Sequence, residues 1–95
     1  MQARVVALDV QPGKVEELHR FFEGERVQEI RQAAGNRGFY LLADTSANKV
    51  LLMSLWDSEA DATASRPIFQ RQMGEAGSLL AGPPSPQGYE VRIQP

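Results

Sequence analysis

Residues 50–56 read Val-Leu-Leu-Met-Ser-Leu-Trp, and residues 57–61 follow at once with Asp-Ser-Glu-Ala-Asp. Both alternating sets of positions in residues 50–56 are largely apolar, which predicts a β-strand that needs cover on both of its faces. The acidic stretch behind it predicts a helix start, with Ser58 as the N-cap and Asp61 at the third helical position. A chain of 95 residues must therefore bury a single sheet on both sides.

Three further segments have the composition of strands. Residues 3–10 are rich in Val and Leu, and apolar residues again occupy both alternating sets. Residues 37–44 form a second strand, and the polar turn at 45–48 joins it to the strand at 50–56 as an antiparallel hairpin. We expect the fourth strand at 88–93, with its apolar side chains on one face.

Two helical regions separate these strands. Residues 14–34 repeat apolar side chains at three- and four-residue steps, and Gly24 in their middle predicts a bend or a short break because glycine weakens a helix interior. Pro67 separates the helix that begins at Ser58 from a longer one. The apolar stripe of that longer helix consists of Phe69, Met73, Ala76 and Leu80. Both regions can cover one face of a sheet.

The order β-α-β-β-α-β predicts an α+β, ferredoxin-like fold over residues 1–95 as one domain, with a four-stranded antiparallel sheet and helices on one of its faces. The opposite face is apolar along the first three strands and has no cover within the chain. A domain of this size buries only about 60% of its surface on folding, so a second chain would enlarge its core. We therefore expect a homodimer that packs through the open sheet faces and forms a dimeric α/β barrel.

Composition excludes several classes of function. Ten Lys and Arg residues against 12 Asp and Glu residues give a net charge of -2, the wrong sign for a protein that binds nucleic acid through its phosphates. The chain has no Cys and one His, so it has no evident ligand set for a metal. It also lacks the run of about 20 apolar residues that a membrane span needs, and its first strand begins without a leader segment. These features predict a cytoplasmic protein that contacts neither membranes nor nucleic acids.

Five segments, in their order and spacing, give the chain a family resemblance. They are Pro12-Gly13-Lys14 with Glu16-Glu17, residues 35–38 (Gly-Asn-Arg-Gly), residues 41–44 (Leu-Leu-Ala-Asp), residues 54–61 (Ser-Leu-Trp-Asp-Ser-Glu-Ala-Asp) and residues 89–91 (Tyr-Glu-Val). Through them the chain resembles the antibiotic-biosynthesis-monooxygenase-like (ABM) proteins, which are dimeric α/β barrels. The resemblance spans nearly the whole chain and implies the same fold and a dimer.

The proteins that the chain resembles include cofactor-independent monooxygenases that form quinones, haem-degrading enzymes and isomerases of small metabolites. Many of them have a His nine residues after the strand-three Trp, but here that position is Ser65. The helix that follows contains no His, so we do not expect haem, and a monooxygenase of the cofactor-independent kind needs no other cofactor. The resemblance implies a cofactor-independent monooxygenase that acts on a small aromatic or polyketide-like molecule. The alternative is a non-catalytic dimer that binds a small apolar molecule or only assembles.

Three residues are candidates for catalysis. Histidine can take up and release a proton near neutral pH, and His19 is the only one here, although it flanks the apolar stripe of its helix, where a partly exposed structural histidine is commoner. Tyr40 could donate a hydrogen bond to a substrate oxygen, or reach solvent or a second chain. Ser65 could supply a polar group at a pocket wall, but a serine before Arg-Pro also suits a helix cap.

Three further residues are candidates for binding substrate. Trp56 lies at the carboxyl end of a strand, where it could stack on an aromatic substrate or simply fill the core. Phe69 could form a second apolar wall, and Arg66 could pair with an anionic group. In the oxygenase hypothesis, the substrate lies between the sheet and the helices, beside Trp56.

Overall fold

The computed structural model describes all 95 residues and contains four strands and four α-helices. In chain order they are β1 (Gln2–Asp9), α1 (Val15–Phe22), α2 (Glu25–Gln32), β2 (Asn36–Asp44), β3 (Lys49–Trp56), α3 (Glu59–Ala64), α4 (Arg66–Glu75) and β4 (Ser85–Glu90). The strands form one antiparallel sheet in the order β2-β3-β1-β4. This arrangement confirms the predicted α+β, ferredoxin-like fold. None of the helices is both long and apolar enough to cross a membrane.

The helices cover one face of the sheet, and the core lies between the two layers. β3 directs Val50, Leu52 and Trp56 to this side, while its alternate residues point to the opposite face. The buried side chains form one cluster: Val6, Leu8, Val10, Val15, Leu18, Phe22, Ile30, Val50, Leu52, Trp56, Ala62, Phe69, Ala76 and Leu80. Because each large apolar side chain that is buried stabilises a fold by about 1.5–3 kcal/mol, this layer is the main apolar contribution within the chain.

The opposite face of the sheet is open. Tyr40 and Leu42 of β2 are 51% and 47% exposed, and Tyr89 of β4 is also about half exposed. In the register of the sheet, Tyr40 lies beside Met53 of β3, and Tyr89 lies beside Ala3 of β1. The strands therefore present apolar and aromatic side chains on both faces, and the single chain covers one of them.

Local sequence signals set the ends of the helices. Gly24 separates α1 from α2 with a φ of 81°, a left-handed conformation that favours glycine, and this confirms the predicted break. Ser58 caps α3 as predicted, since its Oγ accepts a hydrogen bond from the backbone N–H of Asp61 at 3.1 Å. Pro67 lies in the first turn of α4, where a backbone N–H is not needed.

The predicted end of the last helix is wrong. α4 ends at Glu75, a short 3-10 turn follows at Gly77–Leu79, and Leu80 is therefore not part of a helical stripe. Leu80 instead forms an isolated β-bridge with Val10, and its side chain is still buried. Glycine at positions 74 and 77 weakens the helix at this point, which accounts for the early end.

The predicted position of the fourth strand, 88–93, is wrong by three residues. β4 spans Ser85–Glu90 and pairs only with β1. Gln2, the first residue of β1, lies opposite the last residue of β4, so the ladder between the two strands ends there. Pro86 is tolerated within β4 because an edge strand has one side without a partner, where a missing N–H costs nothing.

Candidate functional site

A cavity opens between the helix-facing side of the sheet and helix α4, and we call it the cleft. Its volume is about 290 Å³. Its lining residues are Arg4, Val6, Arg66, Phe69, Gln70, Met73, Pro84 and Pro86. Apolar walls with a few polar groups are the usual composition of a site for a small organic ligand, and here the charged groups are two guanidiniums.

The regular geometry of β1 and α4 brings the two arginines to one cavity. Arg4 and Val6 are two residues apart on β1, so both lie on the helix-facing side of the sheet. Arg66 and Phe69 are three residues apart on α4, so they occupy neighbouring positions on one helix face. The sheet and the helix thus contribute one arginine and one apolar wall each.

A smaller cavity of about 180 Å³, which we call the side pocket, adjoins the cleft. Arg4 and Arg66 line both cavities and therefore stand at their junction. Glu59, at the start of α3, is the single carboxyl side chain that lines the side pocket. The side pocket thus places one acid near the two arginines without pairing it to either of them.

The two arginines of the cleft have no ion-pair partner within the chain. Seven ion pairs form elsewhere, and neither Arg4 nor Arg66 takes part in one. The Nε atom of Arg4 is buried and has no hydrogen-bond partner. Burial lowers the pKa of the Arg4 guanidinium below its ordinary value, and the positive charge of Arg66 lowers it further. The cleft therefore concentrates positive charge that the chain itself does not neutralise.

Of the six residues predicted for the site, Arg66 and Phe69 line the cleft. Trp56 has no exposed surface, and its Nε1–H donates a hydrogen bond to Ser54 Oγ at 2.9 Å. Ser65 is also buried, and its hydroxyl donates to the backbone carbonyl of Ala62 at 2.6 Å. Trp56 thus has the packing environment that the sequence offered as its alternative to chemistry. The Ser65 side chain makes no N-cap hydrogen bond to α4, and its hydroxyl bonds to the last turn of α3 instead.

His19 and Tyr40 lie away from the cleft. His19 lines a separate groove between α1, α2 and β2, and its Nε2 is 2.7 Å from the carboxylate of Glu23 on the helix surface. Tyr40 lies on the open face of the sheet, on the side opposite to the helices. Of the six predicted residues, the structure therefore brings only Arg66 and Phe69 together in one cavity.

A larger depression of about 460 Å³ lies at one end of the open sheet face, between β2, β3, β1 and the segment before β4. Its charged residues are Asp9, Asp44 and Lys49, and the Lys49 Nζ atom contacts Asp9 Oδ1 at 2.6 Å. The cation of this depression is already paired with an acid, whereas the two arginines of the cleft are not. No group of three or more His, Cys, Asp or Glu side chains is placed to hold a metal ion. The cleft is therefore the better candidate site.

Comparison with protein families tests the resemblance directly. Residues 1–67 match the family model described as antibiotic biosynthesis monooxygenase. The chain belongs to this ABM family. The matched segment contains the strand β1 with Arg4, the helix α3 with Glu59, and Arg66 at the start of α4. No curated protein matches the sequence.

Solved structures share the fold of this ABM chain at low sequence identity. The NE2512 protein of unknown function from Nitrosomonas europaea is 21% identical, with a TM-score of 0.83 over 99% of this chain and 91% of that one. Rv0793 from Mycobacterium tuberculosis is 16% identical, with a TM-score of 0.79 over 98% and 96%. The monooxygenase from the gene ActVA-Orf6 of Streptomyces coelicolor, solved in complex with nanaomycin D, is 24% identical, with a TM-score of 0.81 over 99% and 91%. These similarities establish the fold.

Two charged residues that line the cleft or the side pocket of this ABM chain, Arg4 and Glu59, were not among those predicted from the sequence. Arg4 had a detectable signal, because it shares the alternation of Val6 and Leu8 on a strand whose helix-facing side must be buried. A charged side chain is uncommon at such a position and indicates a functional site. Glu59 had no signal of its own, since an acid in the first turn of a helix is common on dipole grounds alone.

Proposed function

We propose that this ABM protein is an oxygenase that oxidises a small aromatic or polyketide-like molecule in the cleft without metal or flavin. The observation that supports it most is the cleft itself, which combines apolar walls with two guanidiniums that have no ion-pair partner. Membership of the ABM family supports a monooxygenase as the reaction class. The S. coelicolor monooxygenase of the same fold was solved with nanaomycin D, which supports the class of substrate.

The proposed chemistry uses the substrate as the reductant of oxygen. A ring CH₂ group next to a carbonyl loses a proton, and the resulting enolate is oxidised by O₂. One oxygen atom enters the ring as a carbonyl, and the other leaves as water, so that CH₂ and O₂ become C=O and H₂O with no other electron donor. The protein needs to exclude water, remove a proton and stabilise the anion.

Residues around the cleft can supply each of these parts. Phe69 and Met73 form the apolar wall that excludes water from the ring. Arg66 stabilises the enolate oxygen, because a nearby positive charge favours the deprotonated form. In this proposal Glu59, which lines the adjoining side pocket, accepts the proton. Trp56 and Ser65 hold the surrounding core in place through their internal hydrogen bonds.

The second part of the proposal is that two copies pack through their open sheet faces. The support is the pair of half-exposed side chains Tyr40 and Leu42, together with Tyr89 on the other edge strand. Large exposed apolar patches on a sheet commonly mark a protein contact. A two-fold arrangement would cover them with their own counterparts and give the sheet its second apolar layer. In this proposal Tyr40 acts in assembly.

A specific observation favours one alternative, a non-catalytic dimer that binds a small molecule. The cleft itself has no Asp, Glu, His, Lys or Tyr among its lining residues, so it contains no general base for use near neutral pH. His19, the residue best suited to that role, lies in a different groove. If Glu59 does not act, the cavity would bind an anionic or aromatic molecule without changing it.

Oxygen uptake tests the proposed function. The purified protein is mixed with 1,8-dihydroxy-9-anthrone in an oxygen electrode, and the spontaneous oxidation of the anthrone is subtracted. We expect one O₂ consumed for each anthraquinone formed. Arg66→Met and Glu59→Gln should each lower the rate at least about tenfold, in the range typical of losing one stabilising or proton-transfer group. Arg20→Met removes the same charge from the exposed surface of α1 and serves as the control.

The outcomes separate the two candidate functions. A wild-type rate no higher than the spontaneous rate, with tight binding of the anthraquinone, would contradict the oxygenase and support the binding protein. A rate that falls equally in Arg20→Met and Arg66→Met would show that general surface charge, rather than the cleft, controls the reaction.

A further inference from the structure

Arg4 has an unfavourable environment that the chain does not relieve. Its Nε is buried without a hydrogen-bond partner, although each N–H of a guanidinium needs an acceptor. Arginine stays protonated in proteins, so the side chain cannot reduce this cost by losing its proton. No group of the chain compensates this charge, so an anion bound beside the guanidinium would stabilise the side chain.

Arg66 adds a second positive charge to the same cavity. No carboxylate lines the cleft, and Glu59 in the side pocket forms no ion pair with either arginine. Two like charges that share a cavity repel each other, and an anion between them lowers the energy of both. The enolate oxygen of the proposed reaction is negative only during turnover. It would therefore not balance the two arginine charges in the complex that forms before the reaction.

We infer that the cleft selects substrates with a permanent acid group, such as a carboxylate, attached to an aromatic body, and that the acid group binds between Arg4 and Arg66. Phe69 and Met73 form the wall against which the aromatic body packs. The inference deepens the proposed function by naming the class of substrate, and it rests on that function for the cleft as the substrate site. It makes Arg4 the residue that determines specificity for charge.

Two fluorescent probes with the same aromatic skeleton test the inference. One is 8-anilinonaphthalene-1-sulfonate, which is anionic, and the other is N-phenyl-1-naphthylamine, which lacks the sulfonate. Arg4→Met and Arg66→Met should each weaken binding of the sulfonate at least about tenfold, because each removes a charge-assisted hydrogen bond, and should change binding of the neutral probe less than about twofold. Arg20→Met should bind both probes as the wild type does.

Thermal unfolding gives a readout that does not depend on a ligand. Met at position 4 replaces the unbranched stem of the arginine and removes a partly buried charge that has no partner. The Tm of Arg4→Met should therefore equal or exceed that of the wild type. A clear fall in Tm would show that Arg4 is a structural residue and would overturn the inference.

Two binding results would also overturn it. The first is an equal loss of affinity for the anionic and the neutral probe in Arg4→Met and Arg66→Met. The second is a loss of binding of the anionic probe in Leu42→Lys with unchanged binding in both arginine variants. That result would place the probe on the open sheet face. These titrations involve no oxygen chemistry. Charge selectivity with no oxidation of an anthrone that carries a carboxylate would therefore contradict the oxygenase alone, and oxidation without charge selectivity would contradict this inference alone.

Discussion

At the scale of single residues, glycine is required where the backbone and a neighbouring side chain both exclude a Cβ. Gly35, between α2 and β2, has a φ of 79°, and a Cβ at this position would overlap the Asp61 carboxylate and lie 2.7 Å from Asp61 Cβ. Rotation of the Asp61 side chain cannot remove the second contact. The carbonyl of Gly35 also accepts a hydrogen bond from the N–H of Asp57 at 2.8 Å. This glycine holds the start of β2 against the end of β3.

Gly35→Ala should therefore destabilise the protein more than Gly13→Ala. Gly13 has a similar φ of 77°, but no atom lies within 4 Å of the point that its Cβ would occupy, so its substitution has the backbone cost alone, about 1–2 kcal/mol. Gly35→Ala has that cost and the clash with Asp61 as well. Chemical denaturation of both variants gives the two free energies of unfolding, and equal losses would contradict the role assigned to the Asp61 contact.

Sequence reasoning at this scale succeeded where the signal was local. Ser58, Gly24 and Pro67 act at helix ends as their residue types predict, because caps and breaks depend on few neighbours. Trp56 was harder to interpret, since a tryptophan at a strand end suits both a pocket wall and a core. Only the packing of the helices over β3 shows that it is fully buried.

At the scale of secondary-structure elements, polar side chains join the helices α2 and α4. Arg71 of α4 donates a hydrogen bond to the carboxylate of Glu29 on α2. The buried Gln72 donates from Nε2 to Glu29 Oε1 at 3.0 Å and to the carbonyl of Arg26 at 3.2 Å. Glu29 is thus the shared acceptor of two α4 side chains, and it links the first crossover of the fold to the second.

Glu29→Gln should weaken this link and change the response to acid. The hydrogen bond from Arg71 lowers the pKa of Glu29 below its ordinary value of 4.5. A group with a lowered pKa in the folded state contributes its stability above the unfolded pKa and loses it as the pH falls through the folded value. The free energy of unfolding should therefore fall less steeply below about pH 5 in Glu29→Gln than in the wild type.

Glu16→Gln is the matched control, because Glu16 is an exposed helix residue that forms no ion pair. Denaturant titrations between about pH 7 and pH 3 should show wild-type acid dependence for this variant. The effect at Glu29 should be modest and should shrink at high salt, since the pair is exposed. Identical acid dependence in Glu29→Gln and the wild type would refute the assignment.

Strands with a regular pattern of apolar residues could be located from the sequence, and the strand near the carboxyl terminus could not. β1, β2 and β3 appear within one residue of their predicted positions, because their apolar residues repeat regularly. β4 was misplaced because it contains Pro86 and lies at an edge, where its position depends on pairing with β1 rather than on its own composition. The cleft is bounded by β4 and α4, so its shape could not be derived from local patterns.

At the scale of the whole molecule, the open sheet face should form the contact between two copies. Leu42→Lys places a charge in this face, and a two-fold axis would bring two such charges into one interface. We expect the wild type to sediment as a dimer at micromolar concentration and Leu42→Lys as a folded monomer. Ile93→Lys makes the same change at a 92% exposed residue beyond β4 and should stay dimeric. A monomeric wild type, or a dimeric Leu42→Lys variant, would contradict the proposed assembly.

We propose different roles for the two faces of the sheet: assembly for the open face and ligand binding for the face that the helices cover. β3 contributes to both, since Leu51 and Met53 lie on the open face and Trp56 anchors the helix layer. Arg4 and Arg66 lie on the helix side, so a ligand in the cleft does not compete with a second copy on the open face. Binding and dimer formation should therefore be separable by substitution.

A crystal structure of the protein with bound 1,8-dihydroxyanthraquinone tests the central claim most directly, because it shows where the product of the proposed reaction binds. We predict that the ring system lies in the cleft against Phe69, with an oxygen within hydrogen-bond distance of the Arg66 or Arg4 guanidinium. The ring system bound on the open sheet face beside Leu42, or in the groove beside His19, with an empty cleft, would contradict the claim.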